Sequence, residues 1–147
     1  MRVLCLDVGD RRIGVAVSDP TGFIATGLGV IKRDGSPEST LGAIEKVLEY
    51  QRDYDAKLIV LGLPRNMDGS IGFQAQKVLD FQEDLKTRYD GEIITWDERL
   101  TSVSANQVMA QKKTKVKKRK QEVDKIAACF ILQGYLDSIE FKKRKND

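Results

Sequence analysis

The chain reads as an α/β domain built on a five-stranded mixed sheet in three layers. Three observations predict this. The opening third holds three strand-like runs separated only by turns, which makes an antiparallel meander. After Ser36 the apolar period lengthens, and helical stripes then alternate with short buried runs, the pattern of parallel crossovers. Hydrophobic residues at 41% and charged residues at 32% of 147 are the proportions of a globular core with a polar surface, which argues against wholesale disorder. The simplest division is one domain over residues 1–140, followed by a basic tail, 141–147, expected to be disordered.

The elements follow in order. Val3-Leu4-Cys5-Leu6 is a strand buried on both faces, and Asp7 stands where it meets Gly9. Ile13 to Asp19 is the second strand. Phe23 to Lys32 is the third, with Gly27 and Gly29 weakening it or marking a bulge. Ser36 is the expected N-cap of a helix with Pro37 at its first position, and Leu41, Ile44, Val47 and Leu48 form its stripe to about Gln51. Leu58-Ile59-Val60-Leu61 is the fourth strand, closed by Gly62-Leu63-Pro64. A polar loop, Arg65 to Ser70, leads to a second helix marked by Ala75, Val78, Leu79, Gln82 and Leu85. Ile93 to Trp96 is the fifth strand, running into Asp97-Glu98-Arg99. A third helix is expected from Thr101 to about Gln111, then a mobile basic run from Lys112 to Lys120, then a helix from Gln121 to Ser138. Tyr50, Tyr54, Phe81, Tyr89 and Trp96 are read as packing residues.

Histidine is absent, which removes Ser-His-Asp triads, Cys-His pairs and His-ligated zinc together. Hydrolytic chemistry would then fall to carboxylates, lysines or metal ions. Cys5 and Cys129 lie far apart in apolar surroundings, without metal-ligand spacing, as buried thiols in a reducing compartment would. With no secretory h-region at the start and no stretch long enough to span a membrane, a cytoplasmic protein is expected. Residues 111–147 carry 12 Lys+Arg against 5 Asp+Glu, a net of +7, while residues 1–110 carry 13 against 17, a net of −4. A basic quarter on an acidic body points to a polyanionic partner.

An ionised carboxylate at the end of a buried strand has to be held by water, a cation or N–H donors. Asp7 ends the first strand. Asp97 and Glu98 end the fifth, and because strand side chains alternate only one of them shares the side of Asp7. Asp124, in the first turn of the last helix, sits on the shoulder of its apolar stripe at about 100° per residue. Each alone is readily structural, since strand ends and first helical turns favour acids. Brought together, they would repel unless cations neutralised them, and all-oxygen ligation suits Mg²⁺ or Mn²⁺. Two such ions about 3.5–4 Å apart support phosphodiester hydrolysis without histidine.

The motifs Asp7-Val8-Gly9, Arg12 to Asp19, Gly62 to Ser70, Asp97 to Thr101 and Asp124 to Ala128, in that order and spacing from Met1 to about Asp137, resemble the bacterial YqgF family. Its members are described as Holliday junction resolvases and as nucleases that process the 5′ end of precursor 16S ribosomal RNA. The resemblance implies an RNase H-like fold and an acidic trio of Asp7, Glu98 and Asp124 that is both catalytic and metal-binding, choosing Glu98 over Asp97. The expectation is a metal-dependent endonuclease acting on structured RNA in 5′-end processing of precursor 16S rRNA, with resolution of four-way DNA junctions as the alternative, as a monomer or homodimer and without membrane association.

Substrate contacts are argued separately. Arg12, Arg65 and Arg99 lie beside the expected site, where a guanidinium holds phosphate bidentately, though a surface ion pair explains each equally well. Asn66 and Ser70 suit phosphate or sugar oxygens, or simply a turn. The run containing Lys117, Lys118 and Arg119 suits nucleic-acid backbone, against a default of plain solvation. Two rival readings are weaker. An ATP-binding fragment of the actin and sugar-kinase type also opens with an aspartate-glycine hairpin, but leaves the later acids without a task. A non-catalytic nucleic-acid-binding module leaves the whole trio idle.

Overall fold

The computed structural model describes residues 1–100 and 120–146. The strands are β1 (Val3–Val8), β2 (Arg12–Ser18), β3 (Ala25–Lys32), β4 (Leu58–Leu63) and β5 (Glu92–Asp97). The helices are α1 (Pro37–Asp53), α2 (Phe73–Lys86) and α3 (Lys120–Asn146), and a single 3₁₀ turn, Glu98–Leu100, follows β5. The sheet order is β3-β2-β1-β4-β5, with β1 antiparallel to β2, β2 antiparallel to β3, and β4 parallel to both β1 and β5. This is the mixed α/β sheet expected from the sequence.

Strand alternation sorts the apolar side chains into two cores, one on each face of the sheet. Leu4, Leu6, Ile13, Val15, Ile59 and Leu61 point one way, against Ile44 and Val47 of α1 and Val78, Phe81 and Leu85 of α2. Val3, Cys5, Ala16, Leu58 and Val60 point the other way, against Ala128, Ile131, Leu132 and Leu136 of α3. The aromatic residues pack as expected. Phe81 is buried, Tyr50, Tyr54 and Tyr89 lie against the first core, and Trp96 meets Tyr135 edge to face at 5.7 Å in the second.

Ser36 caps α1 by accepting the Ser39 N–H at 3.1 Å, with Pro37 in the first turn. At β3 the register jumps, so that Val15 pairs with Gly29 and Ala16 with Gly27, leaving Leu28 as the bulge. The bulge sends the two glycines to opposite faces. A Cβ on Gly27 would lie 2.5 Å from the Lys125 side chain on α3, and one on Gly29 would lie 2.9 Å from the Tyr50 hydroxyl on α1. Both helices can approach the edge strand because neither glycine has a side chain.

Two boundaries differ from the sequence reading. β3 begins at Ala25 rather than Phe23, because Asp19 accepts the N–H groups of Thr21, Phe23 and Ile24 and bends the preceding residues into a turn. α3 runs from Lys120 to Asn146, past the Ser138 at which the sequence reading ends it. Lys and Arg are good helix formers, and their charge suits the carbonyl end of the helix dipole. The helix expected over 101–111 and most of the 112–120 run lie outside the described residues. Among the described residues no helix is long and apolar enough to cross a membrane.

Candidate active site

Asp7 is the last α3-facing residue of β1, following Val3 and Cys5 on that face. It pairs with Gly14 of β2, and the parallel register Leu6↔Leu61 sets it level with Gly62 of β4. Glycine thus flanks Asp7 on both neighbouring strands, and the half-buried carboxylate stands in a trough. The turn that follows is fixed from two sides. The Gly9 N–H donates to the Arg12 carbonyl at 2.8 Å, where a Cβ on Gly9 would clash at 2.8 Å. From behind the sheet, Arg33 donates through Nε and Nη2 to the Gly9 carbonyl at 3.0 and 2.8 Å while stacking over Phe81. Lys77 of α2 holds Asp10 at 2.7 Å.

On β5, Ile94 and Trp96 face α3 and Ile93 faces the other core. By the same parity Asp97 turns away from Asp7. Glu98, the first residue of the 3₁₀ turn, comes back to the α3 side, where its carboxyl carbon would be 3.4 Å from a Cβ on Gly62. Burial is the main influence on its acidity, and the carboxylates of Asp7 and Asp97 add to it, pushing the pKa up to about 7. Asp7 and Glu98 therefore meet as like charges in a partly desolvated place. Their field also reaches Cys5 beneath them, whose thiol is pushed well above its ordinary value, chiefly by burial and then by Asp7 and Glu98.

Asp97 is engaged quite differently. It accepts the Arg99 backbone N–H at 3.0 Å and the Arg99 guanidinium through Nε at 3.1 Å and Nη2 at 2.7 Å, with Arg65 Nε at 4.0 Å. The hydrogen bonds from Arg99 hold its carboxyl below the usual carboxylate range. Arg99 Nη1 reaches on to the Met67 carbonyl at 3.3 Å and Arg65 Nη1 to the Gly69 carbonyl at 3.0 Å. The ion-pair reading of these two arginines is thus realised, and both still expose over a third of their side chains.

Asn66 and Ser70 close the β4–α2 loop on itself. The Asn66 N–H donates to the Ser70 carbonyl at 3.0 Å, and Asn66 Nδ2 to Ser70 Oγ at 2.9 Å. Turn chemistry accounts for both residues. Arg12 opens β2 on the face of Asp7 and is half-buried. Asp124 belongs to α3, but its side chain lies outside the described residues, as do Lys117, Lys118 and Arg119. Among the described residues no third acid, His or Cys joins Asp7 and Glu98 in a metal-sized cluster.

Sequence reasoning missed Arg33 and the parts played by Gly62 and Asp97. Gly62 read as a strand terminator. Arg33 gave no signal, because its partners Gly9 and Phe81 are distant in sequence. Asp97 was visible only as the losing member of a pair.

A 3-2-1-4-5 mixed sheet with the C-terminal helix packed on one face is the RNase H-like fold. The chain belongs to the family described as "RuvX: Holliday junction resolvase", whose sequence model matches residues 1–138, and with it to the phosphodiester hydrolases. The resemblance to the YqgF family is thereby borne out. A protein of Clostridium acetobutylicum named as a candidate pre-16S rRNA nuclease is 50% identical over 139 residues, covering 95% of this chain and 100% of that protein. One of Clostridium tetani with the same name is 49% identical, covering 95% and 98%. Among solved structures, Thermus thermophilus RuvC in complex with a Holliday junction substrate superposes with a TM-score of 0.57 at 13% identity, covering 95% of this chain and 96% of that one. The fowlpox virus Holliday junction resolvase gives 0.53 at 17%, covering 95% and 99%. At such identities these two likenesses bear on the fold alone.

Proposed function

We propose that the protein is a metal-dependent endonuclease that hydrolyses phosphodiester bonds in the 5′-end processing of precursor 16S rRNA. The observation that carries this is the Asp7–Glu98 pair, two carboxylates on the α3 face beside Gly62, where burial and then the charge of Asp7 drive Glu98 to a pKa of about 7. Such a pair is unfavourable alone and favourable around a cation. The donor set is all oxygen and sits at a strand-end trough floored by Gly14 and Gly62, so it fits Mg²⁺ or Mn²⁺. Asp7 and Glu98, with Asp124, would hold the ion. Bound there, it supplies an activated water and neutralises charge on the leaving oxygen.

The protein's own residues supply the rest. Gly9, Arg33 and Lys77 fix the hairpin carrying Asp7, so little reorganisation is needed when substrate arrives. Arg12, Arg65 and Arg99 contribute guanidiniums suited to phosphates flanking the cut, and the basic residues Lys117, Lys118 and Arg119 draw in the polyanion. RNA is favoured because relatives at about half identity over their full length are named for precursor rRNA. The family description favours a four-way DNA junction as the second substrate, and cutting one symmetrically would need a dimer.

One assay decides. Precursor 16S rRNA and a four-way DNA junction are incubated with Mg²⁺ or with EDTA, using wild type, Asp7→Asn and Glu98→Gln. Cleavage of the RNA by wild type in Mg²⁺ alone is expected, with a loss of at least about 10³-fold in either variant. Wild-type cleavage by Asp7→Asn, or in EDTA, would overturn the proposal. Preference for the junction would move the assignment to resolution.

A further inference from the structure

Asp97 stands one residue from Glu98 on the opposite face of the sheet, yet its carboxylate touches what shapes the site. One oxygen accepts the Arg99 N–H, which closes the turn on which Glu98 sits. Both oxygens take Arg99 Nε, and Oδ2 takes Nη2 at 2.7 Å, fixing the plane of the guanidinium. Arg65 approaches the same oxygen at 4.0 Å. Asp97 is 17% exposed, while Arg65 and Arg99 remain 38% and 37% exposed, so the anion is shielded and the cations still face solvent. Two guanidiniums share this carboxylate, and the Asp68 carboxylate also acts on Arg99. Arg99 gives Nε, one Nη2 hydrogen and one Nη1 hydrogen to Asp97 and Met67. Gly69 carries no Cβ, which would stand 3.5 and 3.6 Å from Nη1 and Nη2, and over a third of the Arg99 side chain stays exposed to meet a phosphate.

We infer that Asp97 is the positioning residue of the site, fixing the turn that carries Glu98 and holding Arg65 and Arg99 as an oriented clamp for a backbone phosphate of the substrate. This rests on the nuclease reading above. Two roles on one side chain separate by substitution. Asp97→Asn keeps an oxygen for the Arg99 N–H but loses the charge that orients the guanidiniums. Asp97→Ala loses both. Removing a negative charge by itself tightens polyanion binding, so a positioning role and a bulk-charge role predict opposite signs.

The experiment uses the full chain, with RNA affinity measured in EDTA and kcat and KM measured on precursor rRNA in Mg²⁺, normalised to folded protein by circular dichroism. Asp97→Asn should weaken binding and raise KM by about tenfold, more than it lowers kcat. Asp97→Ala should weaken binding equally and lower kcat by about 10²-fold, because Glu98 loses its fixed turn. Tighter or unchanged RNA binding in Asp97→Asn, or equal kcat in the two variants, would overturn the inference. Should Asp97→Ala fail to fold, the direction of the Asp97→Asn affinity change decides alone. Should wild type bind RNA without cutting it, the nuclease reading fails, and the affinity arm still tests the clamp.

Discussion

Glu98 carries a charge that the fold disfavours, and this has a measurable consequence. Its ordinary pKa of 4.5 is raised to about 7, so the folded state binds the proton more tightly than the unfolded chain does. A raised pKa contributes stability that is complete below the unfolded value and is lost as the pH climbs through the folded one. In EDTA the urea midpoint of wild type should therefore fall between about pH 5 and about pH 8, and Glu98→Gln should flatten that fall. Mg²⁺ should raise the midpoint more at the upper pH, since it binds the ionised carboxylate. A wild-type midpoint that does not move with pH would contradict the desolvated pair. Strand alternation showed in the sequence that Asp97 and Glu98 could not both serve with Asp7, but not which one would. The family resemblance named Glu98, and the physical reason is the parity of Ile93, Ile94 and Trp96, which depends on which core each joins. Asp7 was legible because a carboxylate ending an apolar run is conspicuous. Arg33 was not, because nothing local marks a guanidinium that folds back on a turn formed more than twenty residues earlier.

The β1–β2 hairpin shows how an element transmits constraint to the site. Its turn depends on the absence of a side chain at Gly9 and on two N–H groups from Arg33 meeting one carbonyl. Gly9→Ala should cost about 1–3 kcal/mol, because the Arg12 carbonyl is backbone and cannot step aside cheaply. Arg33→Ala leaves the Gly9 carbonyl without those donors and should cost about 1–3 kcal/mol, with Arg33→Lys recovering part of it. Urea denaturation measures both, and variants as stable as wild type would show that the turn is held elsewhere. Most element boundaries were legible because turn residues and caps act locally, as Ser36-Pro37 and Gly27-Gly29 illustrate. The ends of β3 and α3 were less so. The start of β3 depends on Asp19 gathering three N–H groups, and α3 reaches Asn146 because its docked first half nucleates the charged second half.

At the scale of the molecule, the charge distribution makes the two halves of function separable. The body, net −4 over residues 1–110, repels a polyanion, and the net +7 of residues 111–147 is the charge available to attract one. RNA affinity should then fall steeply with salt, by about 0.7 in log–log slope for each contact to a single strand. Replacing Lys117, Lys118 and Arg119 together by Gln should lower the slope by up to about 2 and raise KM, while kcat at saturating RNA changes far less. Asp7→Asn should do the reverse. It removes one negative charge from the surface RNA must approach, so binding in EDTA should hold or tighten while cleavage in Mg²⁺ disappears. A non-catalytic module predicts the same salt slope but no cleavage by wild type. Measuring slope and cleavage on the same four proteins, with Glu98→Gln as the fourth, assigns attraction to the basic quarter and chemistry to the acidic pair. A slope unchanged by the triple substitution would remove the basic run from the interface and leave Arg12, Arg65 and Arg99 as the phosphate contacts.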